Sequence, residues 1–335
     1  MTRTIRQLVL LMACLAAGAV TLPGTAQGDD FFIEAALTAS FLRDAHEIAA
    51  GSSRTGSATT SDGQNTGTSY SQFGAGSDLW YDEHNQVLGG VQYGSREFDR
   101  KLVLPDGFVL PERIDDASAS LLYKHITRND WSISHSVRYT RTGTDGLSGN
   151  GMNSIDLVGL AAVSHEPGYI WAYGYFWNQT GNRKFQGPIP IIEYINVADE
   201  RYQFILGFPI LSVAYLPHPD LALGLNWSLG GVPAVSASYK VTELNHVRLS
   251  YGGNGWAYRL AGPVEKDVAY TSRRLGLDWT SVYLIDRRTV VFFNASLGWE
   301  HGRKFHSIND NTRKQENTLT MGSAPVMGFN IGLSF

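Results

Sequence analysis

The stretch GFNIGLSF, residues 328–335, ends the chain. Phe329, Ile331, Leu333 and Phe335 are apolar, and Gly328, Asn330, Gly332 and Ser334 between them are small or polar. A period of two marks a β-strand with one apolar and one polar face. A strand that stops on a large apolar side chain, with no polar tail, needs something oily to face.

The same alternation recurs upstream. Leu221, Leu223, Leu225, Trp227 and Leu229 oppose Ala222, Gly224, Asn226 and Ser228. Leu275, Leu277, Trp279 and Tyr283 oppose Arg274, Asp278 and Thr280, and Val291, Phe293, Ala295, Leu297 and Trp299 oppose Asn294, Ser296 and Glu300. No apolar stripe of period 3.6 stands out, so few helices are expected. The 335 residues carry a net charge of −4, so no basic surface recommends nucleic acid as a partner. Charged residues make up 17 % of the chain, below the roughly one quarter of globular proteins, and there are 36 glycines. After residue 30 no run of 18 or more apolar residues offers a transmembrane helix.

The other end reads MTRTIRQLVLLMACLAAGAVTLPGTAQGDD. Arg3 and Arg6, the apolar run Leu8–Leu22, Pro23 and the small residues Gly24-Thr25-Ala26 have the layout of a secretory signal peptide, expected over 1–26. Leu11-Met12-Ala13-Cys14 loosely resembles a lipoprotein box, the alternative reading. With Cys14 removed, residues 27–335 contain no cysteine.

Short turn signals fall near 82–85, 128–130, 166–168, 217–220, 242–245 and 286–288. Longer polar connections cover 43–68, 99–115, 144–152, 181–199, 260–266 and 305–320. Short turns at one end and long loops at the other are the plan of an antiparallel outer-membrane β-barrel, with short periplasmic turns and longer extracellular loops. The runs predict fourteen strands, near 31–42, 69–81, 86–98, 116–127, 131–143, 153–165, 169–180, 200–216, 220–229, 232–241, 246–259, 267–285, 289–304 and 321–335. Losing a weak hairpin would leave twelve. An even number puts both ends of the barrel on the short-turn side. Trp80, Tyr81, Tyr123, Trp131, Tyr169, Trp171, Tyr215, Tyr239 and Tyr283 lie near short turns. Tyr70, Tyr93, Tyr139, Trp177, Tyr202, Trp227, Trp256, Tyr258 and Trp299 lie near long loops. Two such belts are expected at the lipid–water boundaries, although aromatics also favour strands in general. The last strand must then close on the first, because an open edge in lipid leaves backbone groups unpaired. Phe329, Ile331, Leu333 and Phe335 resemble the C-terminal signal read by the barrel-assembly machinery, an expected partner beside outer-membrane lipid and small solutes.

Two stretches carry a family resemblance: PGYIWAYGYFWNQTGNRKFQGPIPIIEY, residues 167–194, and LGFPILSVAYLPHPDLALGL, residues 206–225. They resemble a group of uncharacterised bacterial outer-membrane β-barrel proteins known only as a domain of unknown function. The resemblance implies the barrel and the compartment and brings no site residues. Pro209 sits where the apolar phase slips from Phe204, Leu206 and Phe208 to Leu211, Val213 and Tyr215. A bulge at Gly207–Ile210 is the expectation there.

Glu34, Lys124, Arg138, Asp156, Lys240, Arg248, Arg274, Asp278 and Glu300 fall on the polar phase of predicted strands. Arg or Lys on the lipid face near the bilayer midplane costs about 2–4 kcal/mol, so these charges should face the lumen. There they either tune a wetted channel or pair off as a rigid plug. No Gly-x-Ser-x-Gly elbow and no metal-ligand spacing stands out among the scattered histidines, so neither an enzyme nor a cofactor is expected. Gly252-Gly253-Asn254-Gly255 lacks the lysine and helix of a phosphate loop and reads as a strand kink. The polar stretch 51–68 reads as a mobile outer loop. A pore for small solutes is the leading expectation, and a non-conducting structural or receptor barrel with recognition by loops 43–68, 181–199 and 305–320 is the alternative.

Overall fold

The computed structural model describes residues 46–144, 146–147, 151–178, 187–228, 231–260, 266–286, 289–308 and 315–335. Their regular elements are all strands: β1 (His46–Thr59), β2 (Asn65–Tyr81), β3 (Asn85–Phe98), β4 (Leu102–Val103), β5 (Val109–Leu110), β6 (Arg113–Ile126), β7 (Trp131–Thr144), β8 (Gly151–Glu166), β9 (Tyr169–Asn178), β10 (Ile189–Asn196), β11 (Tyr202–Phe208), β12 (Ile210–His218), β13 (Leu221–Ser228), β14 (Ala234–Thr242), β15 (Asn245–Leu260), β16 (Lys266–Leu284), β17 (Val290–Ile308), β18 (Gln315–Met321) and β19 (Ala324–Ser334).

Sixteen of them form a closed antiparallel ring: β1, β2, β3, then β6 through β17, then β19, which returns to β1. The seal runs from Glu47↔Ser334 to Thr55↔Val326. His46 and Phe335 exchange two backbone hydrogen bonds of 3.0 Å at its end. Strand β18 is the extra one. It continues the line of β19 along β17, since Glu300 pairs with Ala324 and Arg303 with Met321 on either side of Gly322 and Ser323. Strands β4 and β5 make a small separate hairpin.

The expected fourteen strands, or twelve, are therefore corrected to sixteen. Residues 31–42 lie outside the described residues, and the strand that closes the ring is β1, inside the stretch expected to be a loop. Two further strands account for the difference. β10 lies inside the expected loop 181–199. The expected single strand 200–216 is a hairpin, not a bulged strand: Tyr202 pairs with Tyr215, Phe204 with Val213 and Leu206 with Leu211. The chain reverses at Phe208–Pro209, whose peptide bond is cis. The phase slip at Pro209 is what a tight reversal produces, because both arms keep their apolar residues on one face.

That face is the outside. Phe73, Val91, Leu121, Trp171, Leu223, Leu249, Leu277, Leu297, Phe329 and Ile331 are all exposed, although they sit mid-strand. A continuous apolar girdle of this kind is stable only against hydrocarbon. No helix among the described residues is long and apolar enough to cross a membrane. The wall is uneven in height: β2, β3 and β6–β8 have 14–17 residues and β15–β17 have 16–19, while β10–β14 have only 7–9.

Candidate functional site in the lumen

Because side chains alternate, the residues between the exposed apolar ones face inward. Eight of the charged residues singled out from the sequence are described, and all lie in this inward phase; Glu34 lies outside the described residues. They do not form one cluster. Arg138 on β7 meets its register partner Asp156 on β8, Nη2 to Oδ2 at 3.0 Å. On the opposite wall Asp278 lies 3.7 Å from Arg248 and 4.0 Å from Arg274. Glu300 accepts from Asn254 Nδ2 at 2.6 Å and from the Tyr270 hydroxyl, and Arg303 Nε, 3.8 Å away, donates to the same hydroxyl at 2.9 Å. Lys124 is wholly buried near the short-turn end. Lys240 pairs with Glu243 in the turn after β14 at 2.8 Å. Removing one partner of a buried pair costs about 3–5 kcal/mol, so Arg303 and Glu300, both fully buried, fix the inner surface as well as charge it.

At the long-loop end the lumen is crossed by an aromatic cluster. Trp256 and Tyr258 on β15 meet Tyr270 on β16, Phe305 on β17 and Phe98 on β3. Five strands separate β3 from β15 around the ring, so the 6.1 Å contact of Phe98 with Trp256 spans the interior. Arg96 lies 4.6 Å from the Tyr70 ring centre and 4.7 Å from that of Trp256. Such contacts are worth about 0.5–1 kcal/mol when exposed and about 2 when dry. The Tyr258 hydroxyl donates to Asp116 Oδ1 on β6 at 3.3 Å, a second tie across the lumen. Tyr70, Trp256 and Tyr258, expected in the lipid belt, thus point inward. Their parity could have placed them: Trp256 and Tyr258 continue the polar phase of Arg248, Ser250 and Asn254.

The connection 99–112, which contains β4 and β5, folds onto this cluster. Leu102, Leu104 and Leu110 are buried against Phe98, Trp256, Tyr270 and Phe305, while Val103 and Val109 on the other face are exposed. Polar ties hold it to the wall as well: Asp99 accepts from Ser57 Oγ at 2.9 Å and from the Gly67 N–H at 3.0 Å. Val103 exchanges two hydrogen bonds with the Gln64 side chain, at 3.2 and 3.3 Å. Asn317 Nδ2 donates to Asp106 at 3.1 Å. The hairpin is a lid with an apolar underside.

A second apolar patch lines the other wall towards the short turns. It comprises Leu88, Leu122, Leu160, Ala162, Ala172 and Ile195, with Ile170, Ile191 and Ile205 against them. Glu193 sits inside this patch, buried. It escaped sequence reasoning because 181–199 reads as a loop there.

One serine and one histidine meet at the short-turn rim, His46 Nδ1 and Ser77 Oγ at 2.9 Å. The Ser77 hydroxyl also lies 3.1 Å from the Asp78 carbonyl oxygen, and no carboxylate hydrogen-bonds the ring among the described residues. The pair stands at the seam, where His46 also packs on Phe335. No group of three or more metal-ligating side chains occurs among the described residues.

No protein-family model and no curated protein matches the chain. Among solved structures it is similar to a Pseudomonas aeruginosa FadL homologue, at 10 % identity over 95 % of each chain with a TM-score of 0.44. It is also similar to the Pseudomonas putida toluene transporter TodX, at 9 % identity over 93 % of this chain and 94 % of that one, TM-score 0.41. The translocator domain of the autotransporter NalP from Neisseria meningitidis is similar at 9 % identity over 99 % and 96 %, TM-score 0.30. At scores this low the function is read from the chain's own lumen.

Proposed function

We propose that the protein is an outer-membrane barrel of the uncharacterised family that the 167–194 and 206–225 stretches resemble, and that it passes small solutes through a lumen closed at rest. The carrying observation is the lid. A hairpin with an apolar underside covers the aromatic end of a lumen whose walls carry paired charges. A lid whose underside is seated on side-chain packing can lift. Export through the expected signal peptide and recognition of Phe329, Ile331, Leu333 and Phe335 by the assembly machinery belong to the same reading. Phe329, Ile331 and Phe335 stand exposed on the outer face, where such a reader could meet them.

Replacing residues 100–111 by a short Gly-Ser linker should raise single-channel conductance in planar bilayers several-fold over the unaltered protein. Silence from both proteins at every voltage would overturn the channel. The contacts across the lumen favour one other reading, a non-conducting receptor barrel, and the same recording separates the two. Of the loops that reading relied on, 43–68 is now largely wall and 189–196 is a strand.

A further inference from the structure

Strands β9 to β13 contain one residue that is Asp, Glu, Lys or Arg: Glu193. Its neighbours Ile192 and Tyr194 face lipid, the first exposed and the second packed on Trp171 at 4.9 Å, so Glu193 faces the lumen. In register it stands between Ala172 and Gly207. Neither carries a side chain that can reach a carboxylate. A Cβ at Gly207 would lie 2.1 Å from the Ile192 carbonyl oxygen, so that position must stay bare. Above and below on its own strand are Ile191 and Ile195, flanked by Gly174, Ile170 and Ile205. Glu193 is 5 % exposed, and its Oε1 is buried with no hydrogen-bond partner.

An unpartnered carboxyl among isoleucines is expensive, whereas Arg138, Asp156, Arg248, Asp278 and Glu300 all have partners. Ala172 and Gly207 leave the carboxyl with no polar neighbour in register, and the side chains around it are apolar. We infer that the lumen wall around Glu193 is a binding subsite for an apolar solute bearing one protonated amine, the amine meeting Glu193 and the hydrocarbon lying along Ile191, Ile195 and Ile205. A charge-assisted hydrogen bond to a carboxylate is about twice as strong as a neutral one, which favours an amine over an alcohol. An anionic head would meet like charge.

The inference deepens the channel reading by naming a solute class, but its test reads binding and not flux, so either can fail alone. The full chain, folded in one detergent, is titrated with octylamine, octanol or octanoate, and thermal unfolding is followed by circular dichroism. Octylamine should raise the unfolding midpoint of the wild type. In Glu193→Gln the half-saturating octylamine concentration should rise at least tenfold, and octanoate should shift neither protein. Equal octylamine shifts in both proteins, no shift in either, or an octanoate shift matching that of octylamine would overturn the site. A second measurement needs no variant. Dicyclohexylcarbodiimide modifies carboxyls in apolar surroundings, and mass spectrometry of the labelled wild type should find Glu193 modified, with octylamine protecting it. Modification that octylamine leaves unchanged would equally overturn the inference.

Discussion

Single residues in this barrel do work that depends on which way they point. Trp256 touches Arg96, Phe98, Tyr270 and Phe305 across the lumen. Truncating such a buried aromatic to alanine costs about 3–5 kcal/mol. Trp256→Ala should therefore lower the urea midpoint of unfolding by a corresponding amount and loosen the lid, seen as faster proteolysis within 99–112. Two turn carboxylates carry a pH dependence. Asp82 accepts the backbone N–H groups of His84 and Asn85, both at 2.7 Å, and Asp199 those of Arg201 and Tyr202 at 2.7 and 2.9 Å. These bonds hold both carboxyls below their ordinary value of 3.8. The sign follows: the stabilisation is present above that value and disappears as pH falls through the lowered folded values. Asp199→Asn with Asp82→Asn should reduce the stability lost between pH 5 and about pH 2, measured by chemical unfolding. At this scale the sequence was legible where chemistry allowed one answer. A charge on the lipid face is costly, so alternation alone assigns Arg138, Asp156, Arg248 and Asp278 to the lumen. Aromatics have two homes, a lipid boundary or a packed interior; position at a strand end does not tell them apart, and for Trp256 parity does.

Among the elements, the informative ones are those that lack contrast. β1 alternates weakly because glycine, serine and threonine occupy both of its faces. It is recognisable as a strand only through its partners: Gly51 lies so close to Asn330 that an added Cβ would stand 3.0 Å from Oδ1. β10 hides behind Pro188 just before it and Pro190 at its second position, and the β11–β12 turn has no polar residue to announce it, since Leu206 to Leu211 is apolar apart from Gly207 and Pro209. Turn chemistry normally signals a reversal; here the reversal is apolar, and its sequence reads as a bulge. The hairpin makes a sharp prediction. Cysteines replacing Gln203 and Ala214, which face each other across it, should form an intramolecular disulfide on mild oxidation, whereas in one continuous strand they would stand about 36 Å apart. Failure to cross-link in folded protein would restore the uninterrupted strand and the smaller barrel.

For the molecule as a whole, the outward apolar face and the sealed β1–β19 edge predict a detergent-requiring, heat-modifiable protein. Unboiled samples should migrate on denaturing gels apart from boiled ones, and Leu277→Arg on the outer face should lose about 2–4 kcal/mol of stability. The architecture was legible from periodicity because lipid outside and polar groups inside impose a period of two on every strand. The circumference was not, because it depends on counting elements: β10 starts among prolines, and the β11–β12 reversal carries no polar residue to mark it. One property of the finished cylinder goes further. Seven residues at about 3.3 Å each, leaning by about 40°, climb only about 18 Å, less than the roughly 25 Å belt such proteins normally present to lipid. β11 is that short, while β16, five strands further round the ring, has 19 residues. Acyl chains beside the low flank must splay or shorten, or the axis must lean to meet them. The molecule therefore gives its surroundings a compass bearing, and nitroxide depth readings at Leu206 and Leu297 should differ by several ångströms from those expected for an upright cylinder of uniform height.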